Sequence, residues 1–148
     1  MSDWYWIISE TGYVLDVCCR EKNPGTSVVL YTLNNQLRPF HQLWKIEDKY
    51  IVSKDTGFVL TLSTSPINDP TFVVKPRDSK DRGQLWNYDP NNLTLTSGLP
   101  FYVVTAIQNT ANIVLCNPKA LGVKHLENPV PKTQKWVFVK WSEMYHEE

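Results

Sequence analysis

Apolar residues along the chain occur in short runs of three or four that are rich in β-branched and aromatic side chains. The runs are residues 6–8, 13–15, 28–31, 50–52, 58–60, 72–74, 93–95, 102–104, 113–115 and 136–139. Turn-forming clusters of Asn, Asp, Pro and Gly separate them, as at residues 23–25, 55–57 and 89–91. Short runs bounded by turn residues are typical of β-strands, whereas little of the chain shows helical periodicity. The pattern predicts an all-β sandwich or barrel.

The strand pattern repeats three times. The triplet Gln-x-Trp occurs at residues 42–44, 84–86 and 134–136, and residues 5–17 align without a gap on residues 50–62. Each unit has a further apolar strand near its middle, which we place at residues 28–31, 72–75 and 113–116. A fixed repeat of this length indicates an array of similar supersecondary units. We expect units at about residues 1–46, 47–90 and 91–142, followed by a charged tail at 143–148.

Each unit holds about four short strands, which are too few to bury an apolar face alone. Three such units packed around a common axis share one core and close their edges on each other. Twelve strands in a pseudo-threefold array form a β-trefoil, and the chain is therefore predicted to be a single all-β domain of this architecture.

Composition narrows the classes of partner. The chain has 148 residues, and 15 Lys and Arg balance 15 Asp and Glu. A zero net charge argues against a nucleic-acid binder that neutralises phosphates and against a polybasic membrane patch. No apolar run approaches the roughly 20 residues of a membrane span. We therefore expect neither nucleic-acid binding nor membrane insertion.

The cysteines and the start of the sequence bear on location. The first residues show no basic stretch followed by an apolar core, so no secretory signal is visible. Three cysteines, Cys18, Cys19 and Cys116, form an odd count without metal-site spacing, which suits a reducing compartment. We expect a cytoplasmic protein, and we expect Cys18 and Cys19 to end a strand with their side chains on opposite sides.

The threefold Gln-x-Trp motif, with Gly-Tyr-Val-Leu-Asp-Val upstream at residues 12–17, resembles the ricin-B-type β-trefoil lectins. The resemblance covers residues from about 4 to 141. A single domain with the dipeptide His41-Gln42 before the first motif Trp is most similar to small cytoplasmic lectins of fungal fruiting bodies. The resemblance implies binding of terminal sugars of the galactose or N-acetylgalactosamine type on glycoproteins or glycolipids, and a role in defence. It also implies that Trp44, Trp86 and Trp136 are core residues.

The resemblance further implies a sugar site in the first unit. In such lectins an Asp in the Leu-Asp-Val strand accepts hydrogen bonds from sugar hydroxyls, and an aromatic ring ending the middle strand stacks on the sugar. A polar residue and the Gln of Gln-x-Trp complete the pocket. These roles fall on Asp16, Tyr31, His41 and Gln42, with Asn34 as a further polar contact. His41 stands where plant members have Asn. A carboxylate accepts two strong hydrogen bonds, and an aromatic face suits the C–H patch of a sugar.

The other two units lack this combination. The corresponding positions are Thr61, Lys75 and Gly83 in the second unit and Thr105, Cys116 and Thr133 in the third. With no carboxylate or aromatic ring in either set, we expect one competent site. A single monosaccharide site binds near millimolar strength, or about −4 kcal/mol. We therefore expect either an extended glycan or a homodimer. The terminal aromatics Trp4, Tyr5, Trp6 and Trp141 either face a partner or pack where the chain ends meet.

Other functions find less support in the sequence. His41, His125 and His146 lack metal-ligand spacing, and the chain shows no Gly-x-Ser-x-Gly elbow and no phosphate-binding Gly-rich loop. We expect no enzyme activity, no cofactor and no metal. The main alternative is a β-trefoil protease inhibitor that acts through surface loops without binding sugar. A third class is a sugar-blind trefoil that binds cytoskeleton or heparin, although the neutral charge disfavours heparin.

Overall fold

Twelve β-strands form the framework of the chain in a computed structural model, which describes residues 3–34, 38–63, 71–98, 103–107, 120–124 and 129–141. The strands are β1 (Tyr5–Ser9), β2 (Tyr13–Val17), β3 (Val28–Thr32), β4 (Trp44–Glu47), β5 (Tyr50–Ser53), β6 (Val59–Ser63), β7 (Thr71–Lys75), β8 (Trp86–Asp89), β9 (Thr94–Ser97), β10 (Val103–Ile107), β11 (Ala120–Lys124) and β12 (Trp136–Lys140). They fall into three sets of four that match the predicted repeats. Four single 3-10 turns lie between them, at Cys18–Arg20, Phe40–Gln42, Arg82–Gln84 and Lys132–Gln134.

The strand pairing joins the first repeat to the last. β1 pairs along its whole length with β12, from Tyr5 opposite Lys140 to Ser9 opposite Trp136. β4 pairs with β5, and β8 pairs with β9, so each repeat is hydrogen-bonded to the next. The remaining strands form three antiparallel hairpins, β2–β3, β6–β7 and β10–β11. This arrangement protects strand edges by pairing them within the molecule.

The three indoles of the Gln-x-Trp motifs occupy equivalent places in the core. Each Nε1 donates to a carbonyl one residue before the predicted site position: Trp44 to Leu15 at 3.1 Å, Trp86 to Leu60 at 3.0 Å and Trp136 to Val104 at 2.9 Å. All three side chains are buried in one cluster that draws residues from every repeat. A buried indole N–H needs such an acceptor. The prediction that these tryptophans are structural is confirmed, and so is the alignment of Asp16 with Thr61 and Thr105.

Strand register corrects one assignment in the third repeat. The strand that pairs with β10 over its full length is β11, and Val103 lies opposite Lys124. In the other repeats Val14 lies opposite Tyr31 and Val59 opposite Lys75. The position equivalent to Tyr31 is therefore Lys124, and its assignment to Cys116 was wrong. Residues 113–116, where we expected the middle strand, lie outside the described residues.

The terminal aromatics pack against their own chain. Trp6 and Trp141 are buried with Val14 and Leu43 in a second apolar cluster, and the Trp141 amide donates to the Trp4 carbonyl at 2.9 Å. The interpretation that these rings pack where the chain ends meet is confirmed for this cluster. In the described part of the chain, no helix has both the length and the apolar character needed to cross a bilayer.

Candidate functional site

A cavity of about 360 Å³ opens on the first repeat. It is lined by Asp16, Cys18, Cys19, Arg20, Val29, Tyr31, Asn34 and His41. Four of the five residues predicted to bind sugar thus share one cavity. The end of β2 supplies the carboxylate, and the end of β3 supplies the phenol ring. Asp16 lies opposite Val29, and Tyr31 follows Val29 by two residues, so the antiparallel register makes the acid and the ring diagonal neighbours on one face of the hairpin.

Asp16 is the buried acid of this cavity, with only 4% of its surface exposed. Its Oδ2 accepts a hydrogen bond from Gln42 Nε2 at 2.8 Å and lies 3.6 Å from His41 Nε2. Burial raises the pKa of Asp16 to about 6, while the Gln42 hydrogen bond and the charge of Arg20 oppose that rise. Asp16 is therefore mainly ionised at pH 7. The contacts with Gln42 and His41 both fall on its Oδ2 atom.

His41 is a neutral imidazole at physiological pH. Burial lowers the pKa of His41 to about 4, and the charge of Arg20 adds to this effect while Asp55 opposes it. Its Nδ1 is buried and has no hydrogen-bond partner among the described residues. A neutral imidazole has one donor and one acceptor nitrogen.

Gln42 lies behind the cavity rather than on its wall. Its side chain is fully buried, and its Oε1 accepts from the Asn34 amide at 2.7 Å. Its Nε2 donates both to the Thr32 carbonyl at 2.9 Å and to Asp16 Oδ2 at 2.8 Å. Gln42 therefore ties the segment after β3 to the carboxylate. These hydrogen bonds position the carboxylate, and the sugar contact expected of Gln42 stays a prediction.

The turn after β2 carries three cavity residues, Cys18, Cys19 and Arg20, that the sequence analysis did not assign to the sugar site. Cys19 and Arg20 have φ values of 58° and 57°, a left-handed conformation that non-glycine residues rarely adopt. This turn brings the Sγ atoms of Cys18 and Cys19 within 3.4 Å of each other. The expectation that the two thiols face opposite sides was wrong, because the chain leaves the β conformation at Cys18 and the alternation of a strand no longer applies.

The positions equivalent to Asp16 in the other two repeats carry threonines, whose hydroxyl groups bond within the protein. Thr61 and Thr105 replace Asp16 and are buried. Their Oγ1 atoms donate to carbonyls of their own strands, at 3.0 Å from Val59 and at 2.9 Å from Val103. These side chains therefore offer no charged acceptor.

The motif glutamines of the first two repeats, Gln42 and Gln84, make the same pair of hydrogen bonds to the backbone, but they differ in one further contact. Gln84 Oε1 accepts from the Asp78 amide at 2.8 Å and its Nε2 donates to the Pro76 carbonyl at 3.0 Å, as Gln42 does with Asn34 and Thr32. Only Gln42 also binds a carboxylate. The motif glutamine is thus mainly a fold residue that the first repeat additionally uses to hold its acid.

In the second repeat, the backbone leaves no space for a side chain at the position of His41. Gly83 occupies the position of His41, and a Cβ atom at this position would overlap the carbonyl oxygen of Leu62. No side chain fits there without movement of β6. The comparison explains why this repeat differs from the first in shape as well as in residue type.

The cavity of the first repeat combines groups suited to a polar ligand with one flat apolar face. It presents a carboxylate, an imidazole, an amide, a guanidinium and a phenol ring. Asp16 is the one carboxylate among its lining residues, whereas glycoside hydrolysis ordinarily uses a pair. Across the described ranges, no group of three His, Cys, Asp or Glu residues is arranged to hold a metal ion.

Comparison with known proteins bears on the fold. No family model and no curated protein matches the chain. Solved structures do match it. The C-half of an earthworm R-type lectin in complex with GalNAc is 18% identical, covers 94% of this chain and 99% of its own, and has a TM-score of 0.76. The fold is a β-trefoil.

Two further structures extend this result. The β-trefoil lectin of Vibrio vulnificus hemolysin/cytolysin, bound to N-acetyl-D-lactosamine, is 16% identical over 95% of this chain and 96% of its own, with a TM-score of 0.71. A designed threefold-symmetric protein, ThreeFoil, is 16% identical over 93% of this chain and 99% of its own, with a TM-score of 0.74. At these identities the likeness shows the architecture, so function has to be argued from the cavity itself.

Proposed function

We propose that this chain is a lectin whose first repeat binds terminal galactose- or N-acetylgalactosamine-type sugars. The observation that carries the proposal is the buried carboxylate of Asp16, held through its Oδ2 by Gln42, in the same cavity as the Tyr31 ring. A charged acceptor beside an aromatic surface is the combination that a sugar requires, since its hydroxyls donate and its C–H patch packs. The second and third repeats have Thr61 and Thr105 in place of this acid.

Each residue has a distinct part in the proposed complex. Asp16 accepts hydrogen bonds from adjacent sugar hydroxyls, and Tyr31 packs its ring on the apolar face of the sugar. His41 and Asn34, which also line the cavity, make further polar contacts. Gln42 holds Asp16 through its 2.8 Å hydrogen bond.

The compared structures support the ligand class. The earthworm lectin and the Vibrio vulnificus lectin were solved with GalNAc and N-acetyl-D-lactosamine, which contain the sugar types proposed here. The proposal also includes the wider expectations from sequence: a cytoplasmic lectin similar to those of fungal fruiting bodies, acting in defence. Since one site binds weakly, it acts on an extended glycan or as a homodimer, in which several sites engage several glycans.

A glycan array tests this proposal with two matched variants. The wild-type chain should bind galactose- or GalNAc-terminated glycans, Asp16→Ala should lose that binding, and Thr61→Ala should keep it. Thr61 is the matched control because it occupies the same strand position in the second repeat and its hydroxyl bonds within its own strand. Absence of glycan binding, together with tight inhibition of a serine or cysteine protease that Asp16→Ala leaves intact, would replace the lectin with an inhibitor.

A further inference from the structure

The thiols of Cys18 and Cys19 form a pair on the cavity wall that sugar binding leaves unused. Their Sγ atoms are 3.4 Å apart, and both residues line the cavity beside Asp16. Cys19 is exposed and Cys18 is half-buried, so reagents in solution can reach the pair. Both are free thiols. Adjacent cysteines in a strand would point to opposite faces, so this proximity depends on the left-handed turn at Cys19.

We propose that Cys18 and Cys19 are a covalent modification site for low-molecular-weight disulfides such as oxidised glutathione, and that the reaction closes a disulfide within the cavity wall. The ring so formed includes the peptide bond between the two residues. No other protein residue is needed, because both sulfurs already lie on the same side of the turn.

The order of attack follows from the surroundings of the two sulfurs. Burial, followed by the contact with the Cys19 thiol, raises the pKa of Cys18 to about 11, so this thiol stays protonated at neutral pH. Cys19 is the exposed member of the pair and attacks first. Its proton passes to water, and its thiolate bonds to one sulfur of oxidised glutathione. The glutathione S–S bond breaks, and the first glutathione leaves and is protonated.

The second step closes the ring. Cys18 loses its proton as its sulfur attacks the Cys19 sulfur of the mixed disulfide, and the second glutathione leaves as a thiolate that takes up a proton. In total, two electrons pass from the protein thiols to the glutathione disulfide, which becomes two glutathione thiols. The protein loses two hydrogen atoms. Excess glutathione or dithiothreitol reverses both steps.

Ring closure must move the cavity wall. Neighbouring Cα atoms are about 3.8 Å apart, whereas disulfides ordinarily join Cα atoms about 4.4–6.8 Å apart. The sulfurs must also approach from 3.4 Å to a bond length of about 2.05 Å. The turn Cys18–Arg20 therefore changes shape. This turn begins two residues after Asp16, the acid proposed to hold the ligand. We expect the oxidised form to bind glycan more weakly. This consequence rests on the proposed lectin function, whereas the thiol chemistry is independent of it.

Peptide mapping tests the chemistry without reference to sugar. The full chain is incubated with oxidised glutathione, treated with iodoacetamide and digested with trypsin. Arg20 is the first Lys or Arg in the sequence, so residues 1–20 form one peptide with both cysteines, and Cys116 falls on a separate peptide, residues 83–119. The expected product is peptide 1–20 lighter by two hydrogen atoms, unreactive to iodoacetamide and restored by dithiothreitol. Cys18→Ser should instead retain glutathione on Cys19.

Three results would overturn the modification site: an unreacted pair, a glutathione adduct that persists on the wild-type chain, or a disulfide to Cys116 or to a second chain. Cys116→Ser serves as the matched control and should leave ring closure unchanged. Glycan affinity is then compared for the reduced and oxidised forms. A loss of about threefold or more on oxidation supports the cavity effect, and equal affinities refute it. If the reduced protein binds no glycan, only the lectin proposal is refuted, because peptide mapping tests the thiol chemistry without sugar.

Discussion

Replacing Asp16 with Asn should make the folded protein more stable at neutral pH while it removes sugar binding. The folded state raises the pKa of Asp16 from an ordinary value of 3.8 to about 6, because burial disfavours its charge. That rise corresponds to a cost of about 3 kcal/mol for holding the ionised carboxylate at pH 7.5. An amide has no charge to bury, and its oxygen can still accept from Gln42. The same exchange removes a charged acceptor for sugar hydroxyls, which costs about 1.5–3 kcal/mol of binding.

The sign of the pH dependence separates this explanation from a general effect of the substitution. Because the folded-state pKa is the higher one, the protonated side chain favours folding below pH 3.8, and this benefit is lost as pH rises through about 6. The stability advantage of Asp16→Asn should therefore be up to about 3 kcal/mol at pH 7.5 and about 1.5 kcal/mol at pH 5. His41 also titrates in this range, but it is present in both proteins and largely cancels from the difference.

Urea unfolding of the two proteins at both pH values measures this difference. In thermal melts the advantage at pH 7.5 should appear as a rise in Tm of several degrees, at about 2–4 °C per kcal/mol for a chain of this size. Asp16→Glu is a useful companion, because it keeps the charge and should gain no such stability. A variant Asp16→Asn that is less stable than wild type by the same amount at both pH values would refute the argument from burial.

Four further predictions follow from the site and the core. Sugar affinity should fall by about tenfold per pH unit below pH 6, because protonation of Asp16 removes the acceptor, and titration calorimetry from pH 7.5 to 5 checks this. Tyr31→Ala should weaken glycan binding with little loss of stability, while Tyr31→Trp should bind at least as well, as a glycan array or calorimetry would show. Trp44→Ala should lower the free energy of unfolding by roughly 3–5 kcal/mol, because it empties a core site and removes the bond to the Leu15 carbonyl. Gly83→Ala should destabilise the fold by about 1–3 kcal/mol, measured by urea unfolding, since its Cβ would meet the Leu62 carbonyl.

The architecture was predictable because it depends on side chains that repeat. Three equivalent tryptophans each bond to a strand carbonyl, and a core position of this kind tolerates few substitutes, so the motif survives in all three repeats. Alternating apolar strands and turn residues place the hairpins. The position of Asp16 relative to Thr61 and Thr105 follows from the same alignment, and the shared geometry of the indole bonds confirms it.

The middle strand of the third repeat was less predictable. Two apolar runs follow β10, at residues 113–115 and 121–123, and the second contains Gly122, which weakens the strand signal. Pattern alone favoured the first run. Register along the whole hairpin favours the second, because it gives β10 a full set of partners from Val103 to Ile107. Pairing between strands that are distant in sequence cannot be predicted from a short sequence window.

Other features depended on backbone geometry that residue types do not indicate. Non-glycine residues in the left-handed region, as at Cys19 and Arg20, carry no Gly or Asn to mark them. Motif spacing indicated Gln42 for the site but could not say which way its amide faces. The structure shows that its hydrogen bonds to Asp16, Thr32 and Asn34 use the side chain for positioning.

The central claim is that sugar binds to the first repeat through Asp16 and Tyr31, and an NMR titration of the backbone amides with lactose tests it most directly. The amides that shift should cluster at the end of β2, at the end of β3 and around His41, while those of β6 and β10 should stay in place. Shifts centred on Thr61 or Thr105, or an unchanged spectrum at high concentrations of lactose and of N-acetylgalactosamine, would contradict the account.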